Sequence, residues 1–173
     1  MTDTHETQRL FFEALFPELD GFIELRAISR EGKPPGRAFF SSIDDLMVAV
    51  DRGTNDPKGY DLYFGVLPRA TKDGTKAAIK QAQTLWIDVD HDIEAAERQI
   101  RLAPGAGFLA LVSSGRGLHA YWGLPEPVEL DNEDDIAAYE ARLRKGAALF
   151  KADTAACDIT RIMRVPGTWN TKP

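Results

Sequence analysis

The stretch Thr84-Leu85-Trp86-Ile87-Asp88-Val89-Asp90-His91-Asp92 constrains the fold of this chain more than any other: an apolar run of strand length ends in two carboxylates separated by one residue. A strand sends alternate side chains to opposite faces. The spacing therefore predicts Asp88 and Asp90 leaving the sheet together while Leu85, Ile87 and Val89 point into the core. Carboxylates held side by side repel each other, and a cation between them relieves the repulsion. The donors are hard oxygens, which suits Mg²⁺ or Mn²⁺. The plainer alternative is a strand end with two solvated aspartates leading into the next helix, since Asp is favoured at helix starts.

Around this stretch, short strand patterns alternate with helical ones. Residues 7–19 carry Leu10, Phe11, Ala14 and Leu15 at helical spacing, limited by Pro17. Residues 21–30 alternate as a strand, 31–36 read as a turn, and 38–40 as the returning strand. Ser41 or Ser42 caps a helix that starts with Asp44 and Asp45 and stops at Gly53; its Leu46, Met47 and Val50 belong to the core. Residues 60–68 form a strand ended by Pro68, with Arg69 at its tip, and the polar segment 70–83, bearing Lys72 and Lys76, reads as a loop. Residues 93–102 predict an amphipathic helix and 108–112 a central strand. Gly115 and Gly117 bracket Arg116 in a hairpin turn, after which His119 and Tyr121 share a face opposite Leu118, Ala120 and Trp122. Pro125 and Pro127 are expected to break that strand, and residues 132–151 form the longest helix. The order of elements reads as α+β or α/β, a sheet covered by helices.

With 173 residues, 43% of them hydrophobic, the chain supports a single well-filled core. The lone Cys157 excludes an internal disulfide and a multi-cysteine zinc module, and fits a reducing cytoplasm. No membrane-length apolar run and no secretion signal are present, so a soluble cytoplasmic protein without a membrane partner is expected. A formal charge of −6 argues against binding nucleic acid by bulk electrostatics. A polyanion would have to be held in a confined basic groove, for which Arg69, Lys72, Lys76, Arg161, Arg164 and Lys172 are the candidates.

Three features thus stand out: the Asp88/Asp90 strand end, the hairpin Ser114-Gly115-Arg116-Gly117-Leu118-His119, and Asp158 with Arg161 and Arg164 close behind it. Brought together in space, they suit nucleotidyl transfer. Asp88, Asp90 and Asp158 would hold two divalent cations that clamp both oxygens of an in-line displacement. The Ser114 hydroxyl and the amides of the glycine turn would grip phosphate oxygens. His119 would donate to the triphosphate, and Arg161, Arg164 and Arg69 would add fixed charge. Two rivals exist. A rolling-circle-type metal-dependent nuclease would need a second histidine beside His119 and a nucleophilic tyrosine, for which Tyr139 is available. A non-catalytic single-strand-binding domain would use Tyr63, Phe64 and Trp122, and leaves Asp88 and Asp90 unexplained.

These motifs resemble those of the archaeo-eukaryotic primase (AEP) superfamily: paired acids, a Ser/His motif and a lone third Asp. Their flanks, Tyr63-Phe64-Gly65-Val66 with Arg69 upstream and Arg164-Val165-Pro166-Gly167-Thr168-Trp169-Asn170 downstream, are similar to the RepB-like primase-polymerases of phages and plasmids. The resemblance spans residues 19–172. It implies an RRM-like antiparallel or mixed sheet packed with helices, joined to an N-terminal αβ unit. The single catalytic domain 1–173 would divide near residue 80. It further implies synthesis from NTPs or dNTPs on a single-stranded or primed DNA template with two Mg²⁺ or Mn²⁺ ions, and a helicase or accessory module in a longer protein. On that reading Gly115, Arg116 and Gly117 join the nucleotide site, and Lys72, Lys76 and Lys172 are candidates for template phosphates.

Overall fold

Two adjacent phenylalanines on the first helix join two sheets into one core. The structure is a computed structural model that describes residues 4–29, 31–55, 60–102 and 104–168, so Lys172 and residues 169–171 lie outside the described residues. Helix α1 (Thr4–Leu15) sets Phe11 and Phe12 edge-on against Phe64 of one sheet, and Phe11 also against Tyr121 of the other. Such ring pairs contribute about 0.5–1.5 kcal/mol each beyond the area they bury.

The chain then forms β1 (Ile23–Ser29), β2 (Gly36–Phe40), α2 (Ile43–Thr54) and β3 (Tyr60–Gly65). A 3-10 turn (Lys76–Ala78) leads into β4 (Gln81–Val89), α3 (Ile93–Leu102), β5 (Phe108–Ser113), β6 (Leu118–Glu129) and α4 (Glu133–Phe150). A second 3-10 turn (Thr154–Ala156) precedes β7 (Ile162–Arg164). The first sheet has the order β2-β1-β3-β7 and the second β4-β6-β5, and the strands of both pair antiparallel throughout the described residues. Short connections explain the helix boundaries. The Ser42 hydroxyl accepts from the Asp45 amide to open α2, and the Asn132 side chain accepts from the Asp135 amide to open α4, whose first turn is acidic as the helix dipole favours.

The tertiary structure alters several sequence expectations. Strand β7 pairs with β3, placing Tyr63 opposite Arg164, so residues 162–164 belong to the first sheet, across the expected boundary near residue 80. Strand β6 does not stop at Pro125 but runs on to pair Val128 with Ala82 and Glu129 with Gln81. It can do so because β5 pairs only as far as Trp122, leaving the proline stretch at an edge beside a bulge. Gly107 makes that irregularity possible: its φ of +75° and its approach to the Gly123 carbonyl leave no room for a Cβ.

Strand β4 is covered on both faces. Ile87 and Val89 pack with Ala96 and Ile100 of α3, while Ala82 and Trp86 enter the main core. Asp88, one repeat beyond Trp86, therefore points inward rather than away from the core, and is only 6% exposed. His119 and Tyr121 share a face as their spacing predicts, and it is that same inner side, 5% and 0% exposed.

Candidate active site

The functional side chains collect where the ends of the two sheets meet. Strand β4 delivers Asp88 opposite His119 of β6, and the exposed Asp90 follows immediately after the strand's last residue. The hairpin closes through reciprocal bonds: the Ser114 amide donates to the Gly117 carbonyl at 3.0 Å, and the Gly117 amide to the Ser114 hydroxyl at 3.0 Å. Gly115 has a φ of +88°, in the left-handed region that favours glycine. From the other sheet come Tyr63 of β3, Arg164 of β7, and Arg161 just before it. Together Tyr63, Asp88, Asp90, Ser114, Arg116 and His119, with residues 161–164, line a polar pocket of about 220 Å³.

Asp88 is the electrostatic centre. One oxygen accepts from Arg161 Nη2 at 2.7 Å, and the other lies 3.4 Å from His119 Nε2. Burial holds the imidazole below its ordinary value, with the attraction of Asp88 offsetting this only in part. Its Nδ1 faces the Tyr121 hydroxyl at 3.4 Å, a phenol that burial keeps protonated. A neutral imidazole donating from Nε2 and accepting at Nδ1 satisfies both contacts. Arg164 is bound to its own sheet, with Nη2 on the Tyr63 hydroxyl at 2.8 Å, its guanidinium over the Tyr63 ring, and Asp61 paired to it at 3.3 Å.

The carboxylate that joins Asp88 and Asp90 is Asp153, not the expected Asp158. Ligand atoms of Asp88, Asp90 and Asp153 all lie within 4.8 Å of one another. After α4 the chain turns through Lys151 in the left-handed conformation, and the Asp153 amide then donates to the Asp88 carbonyl at 2.7 Å. Apart from an aspartate suited to capping the second 3-10 turn, nothing in the sequence marked it. Asp158 turns toward Lys76 Nζ at 2.9 Å and the Thr160 amide at 2.7 Å. Burial pushes its carboxyl up, but the bonds from Thr160 and Lys76 outweigh that and hold it below the usual range.

Other expected site residues have structural partners instead. Arg69 is 0% exposed, paired with Glu24 and absent from the pocket lining. Lys76 holds Glu140 at 2.6 Å as well as Asp158, and Lys72 lies over the Phe22 ring. The rivals lose their residues in the same way. Tyr139 is 1% exposed and donates its hydroxyl to the Thr84 carbonyl, so it is no free nucleophile. Phe64 is in the core, and Trp122 stacks on Phe150; of the three aromatics proposed for single-strand binding, only Tyr63 lines the pocket.

Two antiparallel sheets with interleaved helices make an α+β fold, the architecture of an AEP primase domain. The chain is similar in structure to the AEP domain of the cyanophage S-2L primase-polymerase, with a TM-score of 0.69 and 19% identity over 92% of this chain and 80% of that one. It is also similar to primase RepB′, with a TM-score of 0.64 and 14% identity over 97% of this chain and 51% of that one. The catalytic domain of RepB′ in complex with initiator DNA matches with a TM-score of 0.58 and 13% identity, over 96% of this chain and 78% of that one. No protein-family model matches the sequence, and no curated protein does. Among the described residues, no helix is long and apolar enough to cross a membrane.

Proposed function

We propose that this chain is the catalytic domain of a template-directed nucleotidyltransferase, joining NTPs or dNTPs on a single-stranded or primed DNA template with the aid of divalent cations. The observation that carries this reading is the convergence of Asp88, Asp90 and Asp153 beside a pocket lined by Ser114, Arg116, His119, Arg161 and Arg164. Three carboxylates within reach of one another are a hard-oxygen donor set, the kind Mg²⁺ and Mn²⁺ take. Bound there, such an ion supplies Lewis-acid polarisation of the reacting phosphoryl group and a more acidic attacking hydroxyl. The chain's own residues do the rest. Asp88, Asp90 and Asp153 would hold the ion, with His119 fixing the Asp88 carboxylate from a ring that Tyr121 steadies in turn. The Ser114–Gly117 turn, Arg116 and Arg164 receive the triphosphate, and Tyr63 steadies the Arg164 guanidinium through its hydroxyl and ring.

The direct test is incubation with a primed template, a labelled nucleotide and Mn²⁺. Primer lengthening is expected; strand cleavage, or binding with no synthesis, would overturn the reading. The third ligand is tested separately. Asp153→Asn should lower incorporation by about 100-fold or more, whereas Asp158→Asn, which loses its ion pair with Lys76 but can still accept from the Thr160 amide, should cost about tenfold at most. The reverse order would return Asp158 to the metal site. Gly117 offers a further check, since a Cβ there would sit 2.7 Å from the Val89 carbonyl and 2.9 Å from Asp90 Oδ1. Gly117→Ala is therefore expected to push the hairpin off the end of β4, displacing Asp90, weakening Mn²⁺ binding about tenfold in an EPR titration and lowering the melting temperature.

A further inference from the structure

We infer that Arg161 is a resident stand-in cation. Resting on the reading of Asp88 as a metal ligand, it neutralises that carboxylate until a divalent ion arrives with the nucleotide, and then transfers its guanidinium to the triphosphate.

The pairing itself is the first observation. Asp88 is 6% exposed, and a carboxylate that far from water needs a cation beside it. Arg161 supplies one at 2.7 Å, 73 residues away in sequence, and its charge is permanent. The oxygen it occupies is one of the two that Asp88 can offer an ion, and the other faces His119. A divalent ion at Asp88 is repelled by the guanidinium and competes with it for the charge of the one carboxylate.

The second observation is independent of the first. Arg161 Nε is buried and, among the described residues, has no hydrogen-bond partner. An arginine in its final position normally engages a carboxylate through two parallel bonds. Here Nη2 makes the contact while Nε is orphaned, the state of a side chain seated on a substitute partner. Buried donors without acceptors are rare and each calls for a cause, of which an acceptor brought in by a ligand is one. A phosphate oxygen in the adjoining pocket would accept from Nε and Nη2 together.

The third observation shows how the transfer occurs without refolding. The Arg161 amide donates to the Asp158 carbonyl at 2.9 Å, and its carbonyl accepts from the Val66 amide at 3.2 Å. The backbone is clamped on both sides, so only the side chain moves. Its side chain is 30% exposed and already lines the pocket shared with Ser114, Arg116 and Arg164. The consequence is a linkage: triphosphate draws Arg161 off Asp88 and tightens the ion, and the ion tightens the triphosphate by the same factor.

The test is Mn²⁺ binding to the whole chain by EPR titration, alone and with an α,β-methylene deoxynucleoside triphosphate. Arg161→Gln is expected to bind Mn²⁺ alone about tenfold tighter than wild type, the lower end of what a neighbouring charge does to a carboxylate's affinity for a proton. Its melting temperature should also rise further on adding Mn²⁺ than the wild type's does. The nucleotide analogue should tighten Mn²⁺ by a larger factor in wild type than in Arg161→Gln. Arg161→Lys, which keeps the charge and loses the fork, should bind Mn²⁺ alone like wild type yet show the reduced coupling. If Arg161→Gln binds Mn²⁺ no tighter than wild type while Asp88→Asn loses binding, the stand-in role is wrong and the metal site stands. If Asp88→Asn binds Mn²⁺ like wild type, the metal site and the stand-in role fail together.

Discussion

Asp88→Asn is expected to reduce nucleotide incorporation on a primed template by about 10³-fold or more. The carboxylate is common to everything at the site: it belongs to the acidic group with Asp90 and Asp153, and takes contacts from Arg161 and His119. Losing the charge that holds a catalytic ion removes several kcal/mol of transition-state stabilisation, and each 1.36 kcal/mol is tenfold in rate. Asn preserves the side chain's shape on β4. Its former partner Arg161, 30% exposed, can hydrate, so the fold should survive the change. Incorporation assays beside a thermal melt separate the two effects. A folded Asp88→Asn protein that still extends primers at the wild-type rate would take Asp88 out of the chemistry.

The second large effect lies in the first sheet. Glu24 on β1 is 0% exposed and is held by Arg69 at 2.9 Å, Arg26 at 2.6 Å and Arg37 at 3.1 Å. Arg69, also 0% exposed, donates further to the Leu67 and Thr160 carbonyls. Its guanidinium thus supports the segment that leads into Arg161. Glu24→Ala strands Arg69 in the interior and should destabilise the domain by about 3–5 kcal/mol, measured by denaturant unfolding. Replacing both partners, Glu24→Leu with Arg69→Met, should recover most of that loss, because no charge is then left buried.

The pair also sets an acid limit. Burial pushes the Glu24 carboxyl up, but the hydrogen bonds and charges of Arg26 and Arg69 outweigh it and hold the group below its ordinary 4.5. A carboxylate depressed on folding contributes stability that is complete above its unfolded value and is lost as pH falls through its folded value. Wild type should therefore lose stability progressively below pH 4.5, and Glu24→Gln should show a shallower decline there, read as the slope of unfolding free energy against pH. An identical slope in both proteins would mean that Glu24 does not govern the acid limb.

Much of this was legible in the chain because it is written at short range. Helix α3 runs from Ile93 to Leu102 as its periodicity predicts, and Ser42 caps α2 as its position before Asp44 and Asp45 suggests. The turn around Arg116 follows from its two glycines, whereas the approach of Asp88 to His119 comes from the pairing of β4 with β6. What was misread is long-range. Arg69 looked like a free cation at a strand tip, but its partner Glu24 stands 45 residues earlier. Asp158 looked like the third ligand because arginines follow it, yet Lys76 and Thr160 take it up. Charged side chains take whatever partner packing brings near, and sequence spacing carries no record of that.

By itself, then, the sequence determined most of the helices and strands though not β7 or the full extent of β4 and β6, that two aspartates close β4, and that a glycine turn and a histidine come after it. Each depends on the alternation, capping and turn geometry of a few neighbouring residues. Only the tertiary structure decided that Asp88 faces inward, that Asp153 completes the acidic group, and that Arg161 rests on Asp88. Those outcomes come from two sheets closing over shared phenylalanines, an energy that belongs to the whole core and to no single stretch of chain.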